Sequence, residues 1–245
     1  MKKIFKKNLS AFTPEPVSKI PRRRARFRAC PVLAAAIVPV LLFSLASCGK
    51  KIDYFDYVSE LRSNILVASE EDISLTVYAA EKEAPYAADG VKRTVSPRTE
   101  IYLTAPTGVD SYDVSFVYDG KTYGGDMSFD NIKLEYFFSC TLDISAAAEL
   151  PVKISYDGQG IELTAATVRT ENMLSPESVL EKVRVAESEK FKAMTDANGF
   201  AGEIYLRLIY EDVPYYYVGI IDREGRIFAL LVDSEDGKIL AKREM

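Results

Sequence analysis

The sequence predicts a mainly-β protein: an antiparallel β-sandwich, then an α+β unit with one helix on an antiparallel sheet. Three observations carry this. Between residues 73 and 165, short runs place an apolar side chain at every second position, the period of a half-buried strand. Asp119-Gly120 and Asp157-Gly158 fall between such runs, where tight turns need a residue tolerant of positive φ. Near residue 170 the apolar period then changes from strand-like to helical.

The elements follow in order. Tyr54, Tyr57, Val58, Leu61 and Ile65 have helical spacing, which predicts a short amphipathic helix within residues 48–66. Strands are expected around Ile73, Leu75 and Val77; Ile101 and Leu103; Val114, Phe116 and Tyr118; Leu134 through Leu142; Val152, Ile154 and Tyr156; and Ile161, Leu163 and Ala165. Six or seven strands over residues 67–170 suit a sandwich of immunoglobulin-like topology, resting on strand count alone because the usual disulfide and tryptophan are absent. A linker is expected at 170–174. Ser175-Pro176 reads as an N-cap followed by a first-turn proline. Val179, Leu180, Val183, Ala186, Phe191 and Met194 give the helix its apolar stripe, and Asn198-Gly199 its stop. Four strands are expected at 202–211, 215–222, 226–233 and 239–242, completing a unit over 175–245.

The N-terminus is of another kind. Ten lysines and arginines crowd the first 28 residues, and the run from Pro31 to Ala46 carries no charge. That run is interrupted by Pro39 and falls short of the roughly 20 apolar residues of a spanning helix. It ends in Leu45-Ala46-Ser47-Cys48, which resembles the lipobox of bacterial lipoproteins. The resemblance implies a cleaved signal over residues 1–47, acylation (palmitate among the chains) at Cys48, and a chain anchored on the extracytoplasmic face of a cell membrane. An uncleaved anchor helix and a twin-arginine export signal, from Arg23-Arg24, are the alternatives.

Composition narrows the chemistry. The chain has 31 basic and 36 acidic residues; removing the first 47, with 10 basic residues and Glu15, leaves 21 against 35, a net charge of −14. So acidic a chain lacks the basic footprint of a nucleic-acid partner. Of Cys30, Cys48 and Cys140, only Cys140 would remain free in the folded part, and no internal disulfide is expected. There is no histidine, which removes imidazole bases, Ser-His-Asp triads and His-ligated zinc. No cofactor is implied. Asp233, Glu235 and Asp236 with Asp222 and Glu224 lack the ligand spacing of a calcium loop, and read as solvated turn acids. Asp126, Asp130 and Glu135 are the nearest thing to a catalytic carboxylate pair, and Gly124-Gly125 is not a phosphate loop.

Two features point to recognition. Tyr205, Tyr210, Tyr215, Tyr216 and Tyr217 crowd the C-terminal strands. Alternation sends Tyr215 and Tyr217 to one face and Tyr216 to the other, so Tyr205, Tyr215 and Tyr217 are the candidate binding residues. The stretches Tyr215-Tyr216-Tyr217-Val218-Gly219-Ile220, Arg226 to Asp233 and Gly237-Lys238-Ile239-Leu240 resemble the C-terminal half of PepSY-type domains. That resemblance implies non-catalytic binding or restraint of another protein. The expected function is therefore a lipid-anchored, non-enzymatic protein- or peptide-binding module of the cell envelope. Carbohydrate or nutrient capture, and a carboxylate-dependent envelope hydrolase, are the alternatives.

Overall fold

The computed structural model describes residues 52–84, 94–106, 108–109 and 111–245. Cys48 and the preceding segment lie outside them. The chain opens with a 3-10 helix, Tyr54–Tyr57, capped by Asp53, whose side chain accepts from Phe55 N. Nine strands follow: β1 Val58–Glu70, β2 Ile73–Glu83, β3 Val95–Thr104, β4 Asp113–Tyr118, β5 Lys121–Asp126, β6 Ser128–Asp130, β7 Glu135–Cys140, β8 Glu149–Tyr156 and β9 Gln159–Thr167. Helices α1 Pro176–Ala186 and α2 Ser188–Ala193 come next, then the two-residue strands β10 Thr195–Asp196 and β11 Gly199–Phe200. The chain ends in β12 Gly202–Tyr210, β13 Pro214–Asp222, β14 Ile227–Asp233 and β15 Ile239–Glu244. The protein is mainly β, with a helix packed near a sheet.

Strand β1 organises both halves. Its second edge is shared: residues 58–62 run parallel to β12, while Leu66 and Val67 pair with β9. Its first edge pairs with β2 along nearly its whole length. This corrects the helix expected within 48–66, of which only the turn at Tyr54–Tyr57 is helical. The reason is visible in the register, which shifts between Val58 and Glu60 and again between Arg62 and Asn64. Two bulges break the alternation, so Leu61 and Ile65 fall four apart, as on a helix, while still reaching one core. The second bulge sits beside buried Asn64, whose Nδ2 donates to the Ala147 carbonyl at 2.8 Å and whose Oδ1 accepts from Thr167 Oγ1 at 2.6 Å.

The N-terminal strands form a near-closed barrel, replacing the expected sandwich and its immunoglobulin-like topology. Pairing runs β1, β2, β3, β7, β6 on one side and β1, β9, β8, β4, β5 on the other. The two arms meet in one bent segment, because β5 and β6 are separated only by Met127: β5 pairs with β4, and β6 with β7. The bend brings the two arms together, but β5 pairs only with β4 and β6 only with β7, so the barrel is near-closed and not sealed by a ladder. Gly124 permits the bend, since a Cβ there would sit 2.2 Å from the Val114 carbonyl on β4. Leu66, Leu75, Val77, Ile101, Leu103, Ile144, Leu150 and Ile154 are among the residues filling the interior. Burying each such side chain is worth about 1.5–3 kcal/mol relative to leaving it in water. Cys140, on β7, is half-buried against this core, and burial raises its thiol pKa.

A second core lies under α1. Val179, Leu180 and Val183 of the helix meet Ile204, Leu206, Leu208, Tyr216, Val218 and Leu230 of the sheet. Ser175 caps α1 by accepting from Ser178 N at 3.2 Å, with Pro176 in the first turn. The single helix expected to run to Met194 is broken at Glu187, whose φ of −110° and ψ of 32° leave the helical region. The resemblance to PepSY-type domains is corrected here. Residues 175–245 are not a separate helical module; their strands continue through β1 into the barrel, and only two short α-helices occur among the described residues. Residues 51–245 cluster as one compact unit. The segment expected as a linker is tied down at several points: Arg169 donates to the Ser63 and Leu174 carbonyls and to Tyr216 Oη, and Met173 is buried.

Candidate functional site

The most chemically distinctive surface is the sheet face away from α1 on β12 and β13, continued across β1, β2, β3 and β7. Alternation and register put its members side by side. Arg207 on β12 pairs in register with Tyr217 on β13 and with Arg62 on β1. Tyr78 on β2 is opposite Glu100 on β3, two residues from Tyr102, which is opposite Phe137 on β7. Side chains on one face of paired strands lie within contact range, which turns this register into a row.

Rings and cations share that row. The Arg207 guanidinium lies 4.6 Å from the Tyr205 ring centroid and 5.8 Å from that of Tyr217. Arg62 lies 3.8 Å over Tyr78, and Tyr78 is 5.3 Å from Tyr102. Tyr102 is 4.9 Å from Phe137, and the Lys133 ammonium is 4.9 Å over Tyr102. Each cation–π contact contributes about 0.5–1 kcal/mol where exposed and about 2 when desolvated. From β7 to β13 the row crosses five interstrand spacings, about 24 Å at roughly 4.8 Å each.

A charged cleft of 390 Å³ opens within the row, lined by Glu60, Lys82, Glu83, Arg98, Glu100 and Arg207. Glu60 and Glu100 are buried. Glu60 pairs with Arg207, and with Lys82 at 3.8 Å; Lys82 also reaches Glu100 at 2.7 Å. Three cations against three carboxylates make the lining neutral overall and locally bipolar. Such a lining suits a ligand that presents both hydrogen-bond donors and acceptors, as a peptide backbone does. Glu100 also acts on its neighbour: burial, and then the Glu100 charge, push the Tyr102 phenol up to about 12.

The expected residues are placed unequally. Tyr217 is half-buried and lies over Gly219. Tyr205 is on the same face but only 7% exposed, so it supports Arg207 more than it offers a free ring. Tyr215, half-buried opposite Asp233, joins none of the ring–ring or ring–cation contacts among the described residues. Tyr216 turns the other way into the second core, where burial raises its pKa against the lowering effect of Arg169. Arg207, Arg62, Tyr78, Tyr102 and Phe137 are functional candidates that residue-by-residue reading passed over. Their signal was aromatic or basic side chains at the outward positions of alternating strands.

The carboxylates weighed as chemistry do structural work. Asp233 Oδ1 accepts from Glu235 N and Asp236 N, and these bonds lower its pKa. Asp222 caps the next turn and pairs with Arg226 at 2.7 Å. Asp126 faces Asp113 across the β4–β5 hairpin; their side-chain hydrogen bond raises the Asp113 pKa. Among the described residues no group of three or more acidic or cysteine side chains is placed to hold a metal ion. Comparison with known proteins gives no relative: no family model, no curated protein and no solved structure matches this chain.

Proposed function

We propose that this chain is a non-catalytic binding module of the cell envelope, held at a membrane through a lipid on Cys48, that takes an extended peptide segment across its outer sheet face. The observation that supports the reading is the row of rings and cations from Lys133 to Tyr217, interrupted by the bipolar cleft at Glu60, Lys82 and Glu100. Aromatic residues and arginine are the side chains most enriched at binding hot spots. A peptide of about seven extended residues matches the roughly 24 Å of the row. Support for the anchor is the Leu45-Ala46-Ser47-Cys48 motif behind an uncharged run.

Peptide display against the full chain in detergent tests the reading. Sequences enriched on the wild type should be depleted at least about tenfold on a Tyr102→Ala/Tyr217→Ala double variant of unchanged circular dichroism, about 1.4 kcal/mol in affinity. Equal enrichment on both proteins would remove the sheet face as the site.

A further inference from the structure

On the α1 side of the C-terminal sheet, away from the aromatic row, a cavity of 360 Å³ opens between α2 and the ends of β13, β14 and β15. Register and alternation place its walls on one face. Ile220 is opposite Phe228 and Phe228 is opposite Glu244, with Ile220 and Phe228 turned into the second core. From α2, the Lys190 ammonium lies 4.7 Å over the Phe228 ring and donates to Glu244 Oε1 at 2.9 Å. Met194 lies against Gly202, where a Cβ would meet its methyl at 2.6 Å, and Gly202 is in register with Asp222 at the end of β13. The floor is therefore apolar and the rim charged.

The rim has open polar positions of both signs. Arg226 Nε donates to Asp222 Oδ2 at 2.7 Å and Nη2 to Glu224 Oε2 at 3.1 Å, which leaves Nη1 outside these bonds. Lys190 keeps the Glu244 carboxyl below its ordinary pKa, hence ionised, with Oε2 outside their bond. Two cations stand among three carboxylates, Asp222, Glu224 and Glu244, so the rim opposes a bare anion and suits a ligand carrying both charges. The same helix ties the cavity to the start of the described chain. The Tyr54 ring is 4.9 Å from that of Phe191, and its Oη is 3.3 Å from Thr195 Oγ1, the residues that follow Lys190 and Met194. Ile52 is four residues from Cys48, at most about 14 Å of extended chain.

We infer that this cavity takes the headgroup of a zwitterionic phospholipid from the anchoring membrane: its phosphate on Lys190 and Arg226 Nη1, its primary ammonium on Glu244, and its glycerol carbons on Met194 and Phe228. The volume, at the lower end of small-ligand pockets, suits a headgroup and not acyl chains. A short tether raises the effective lipid concentration to the millimolar range, so a weak site is filled. The inference rests on the Cys48 anchor for the source of its ligand, and on no part of the peptide reading.

Methionine-methyl NMR on the full chain in non-ionic detergent, titrated with dihexanoyl phosphatidylethanolamine, tests it. The Met194 signal should shift saturably, while those of Met127, in the barrel, and Met173, under α1, stay in place. The phosphatidylcholine analogue, which has no N–H for Glu244, the phosphatidylglycerol analogue, which has no cation, and free phosphoethanolamine should each bind about tenfold more weakly. Glu244→Gln should bring the ethanolamine lipid down to the choline lipid and leave the choline lipid unchanged. Lys190→Met should weaken all the lipids about tenfold, and Tyr217→Ala none of them. No saturable shift at Met194, equal affinity for the three lipids or for free phosphoethanolamine, or discrimination that survives Glu244→Gln would each overturn the site. The titration needs no acyl group, and Cys48→Ala protein should give the same affinities. Its failure therefore leaves the anchor standing, and loss of fatty-acid labelling in Cys48→Ala tests the anchor separately.

Discussion

The ring of Tyr217 lies over Gly219 so closely that a Cβ on the glycine would sit 3.0 Å from Tyr217 Cε1 and 3.1 Å from its hydroxyl oxygen. The missing side chain is what lets the ring lie along its own strand beside Arg207. Glycine is otherwise unfavourable in a strand interior, and marks here a close approach.

Gly219→Val should therefore lift Tyr217 from the sheet. The contact is with a movable side chain, so the fold should survive, and a strand-favouring valine should leave the melting temperature within a few degrees of wild type. Affinity for a selected peptide, measured by titration calorimetry, should fall about tenfold.

Arg169 ties the segment after β9 to β1 and to the second core. It donates to the Ser63 carbonyl at 3.0 Å, to Tyr216 Oη at 2.8 Å and to the Leu174 carbonyl at 3.1 Å. Arg169→Ala should cost about 2–4 kcal/mol in urea unfolding, since charged hydrogen bonds contribute about 1.5–3 kcal/mol each and the loss is shared with remaining contacts. Lysine should not restore it, lacking the forked donors. In limited proteolysis, cleavage between residues 168 and 175 should be fast in the variant and slow in wild type.

Tyr102 gives a pH signature. Its phenol is pushed up to about 12, first by burial and then by Glu100. A raised folded-state value means that its stabilisation is complete below the ordinary tyrosine range near pH 10 and is lost as pH rises toward 12. Tyr112, Tyr118 and Tyr216 are raised as well, so ultraviolet titration should show several late phenols, their number falling by one in Tyr102→Phe, and that variant should lose stability less steeply between pH 10 and 12. The difference should not exceed about 1–2 kcal/mol, because the ring is half-exposed and screened.

Cys48 carries the proposed anchor. Cys48→Ala should abolish incorporation of labelled fatty acid and move the protein from the membrane to the soluble fraction. Labelled, membrane-bound Cys48→Ala protein would show that attachment lies elsewhere.

What could be read from the sequence depended on whether a segment keeps one period. The C-terminal strands and the start of α1 do so, with Ser175-Pro176 marking the helix and apolar alternation marking Ile204, Leu206 and Leu208. β1 does not, because its bulges at Ser59 and Ser63 break the alternation. β5 was silent because Lys121-Thr122-Tyr123-Gly124-Gly125-Asp126 buries no residue fully; its place comes from closing the barrel. Tyr217 was legible from local alternation alone. Arg207 was not, since its position depends on Tyr205, Tyr217 and Glu60, the last of them 147 residues away on β1. Barrel closure and the β1–β12 pairing likewise join distant parts of the chain, and no local pattern reports them.

The most direct test of the peptide-binding face is photocrosslinking. A benzophenone amino acid is placed in turn at Tyr217, Tyr102 and Leu240, the last an exposed residue of the outermost strand β15. With a selected peptide bound, adducts should form from positions 217 and 102, mapping to different residues of one extended peptide, and not from 240. Adducts from 240 in equal yield, or none from 217 and 102, would contradict the account.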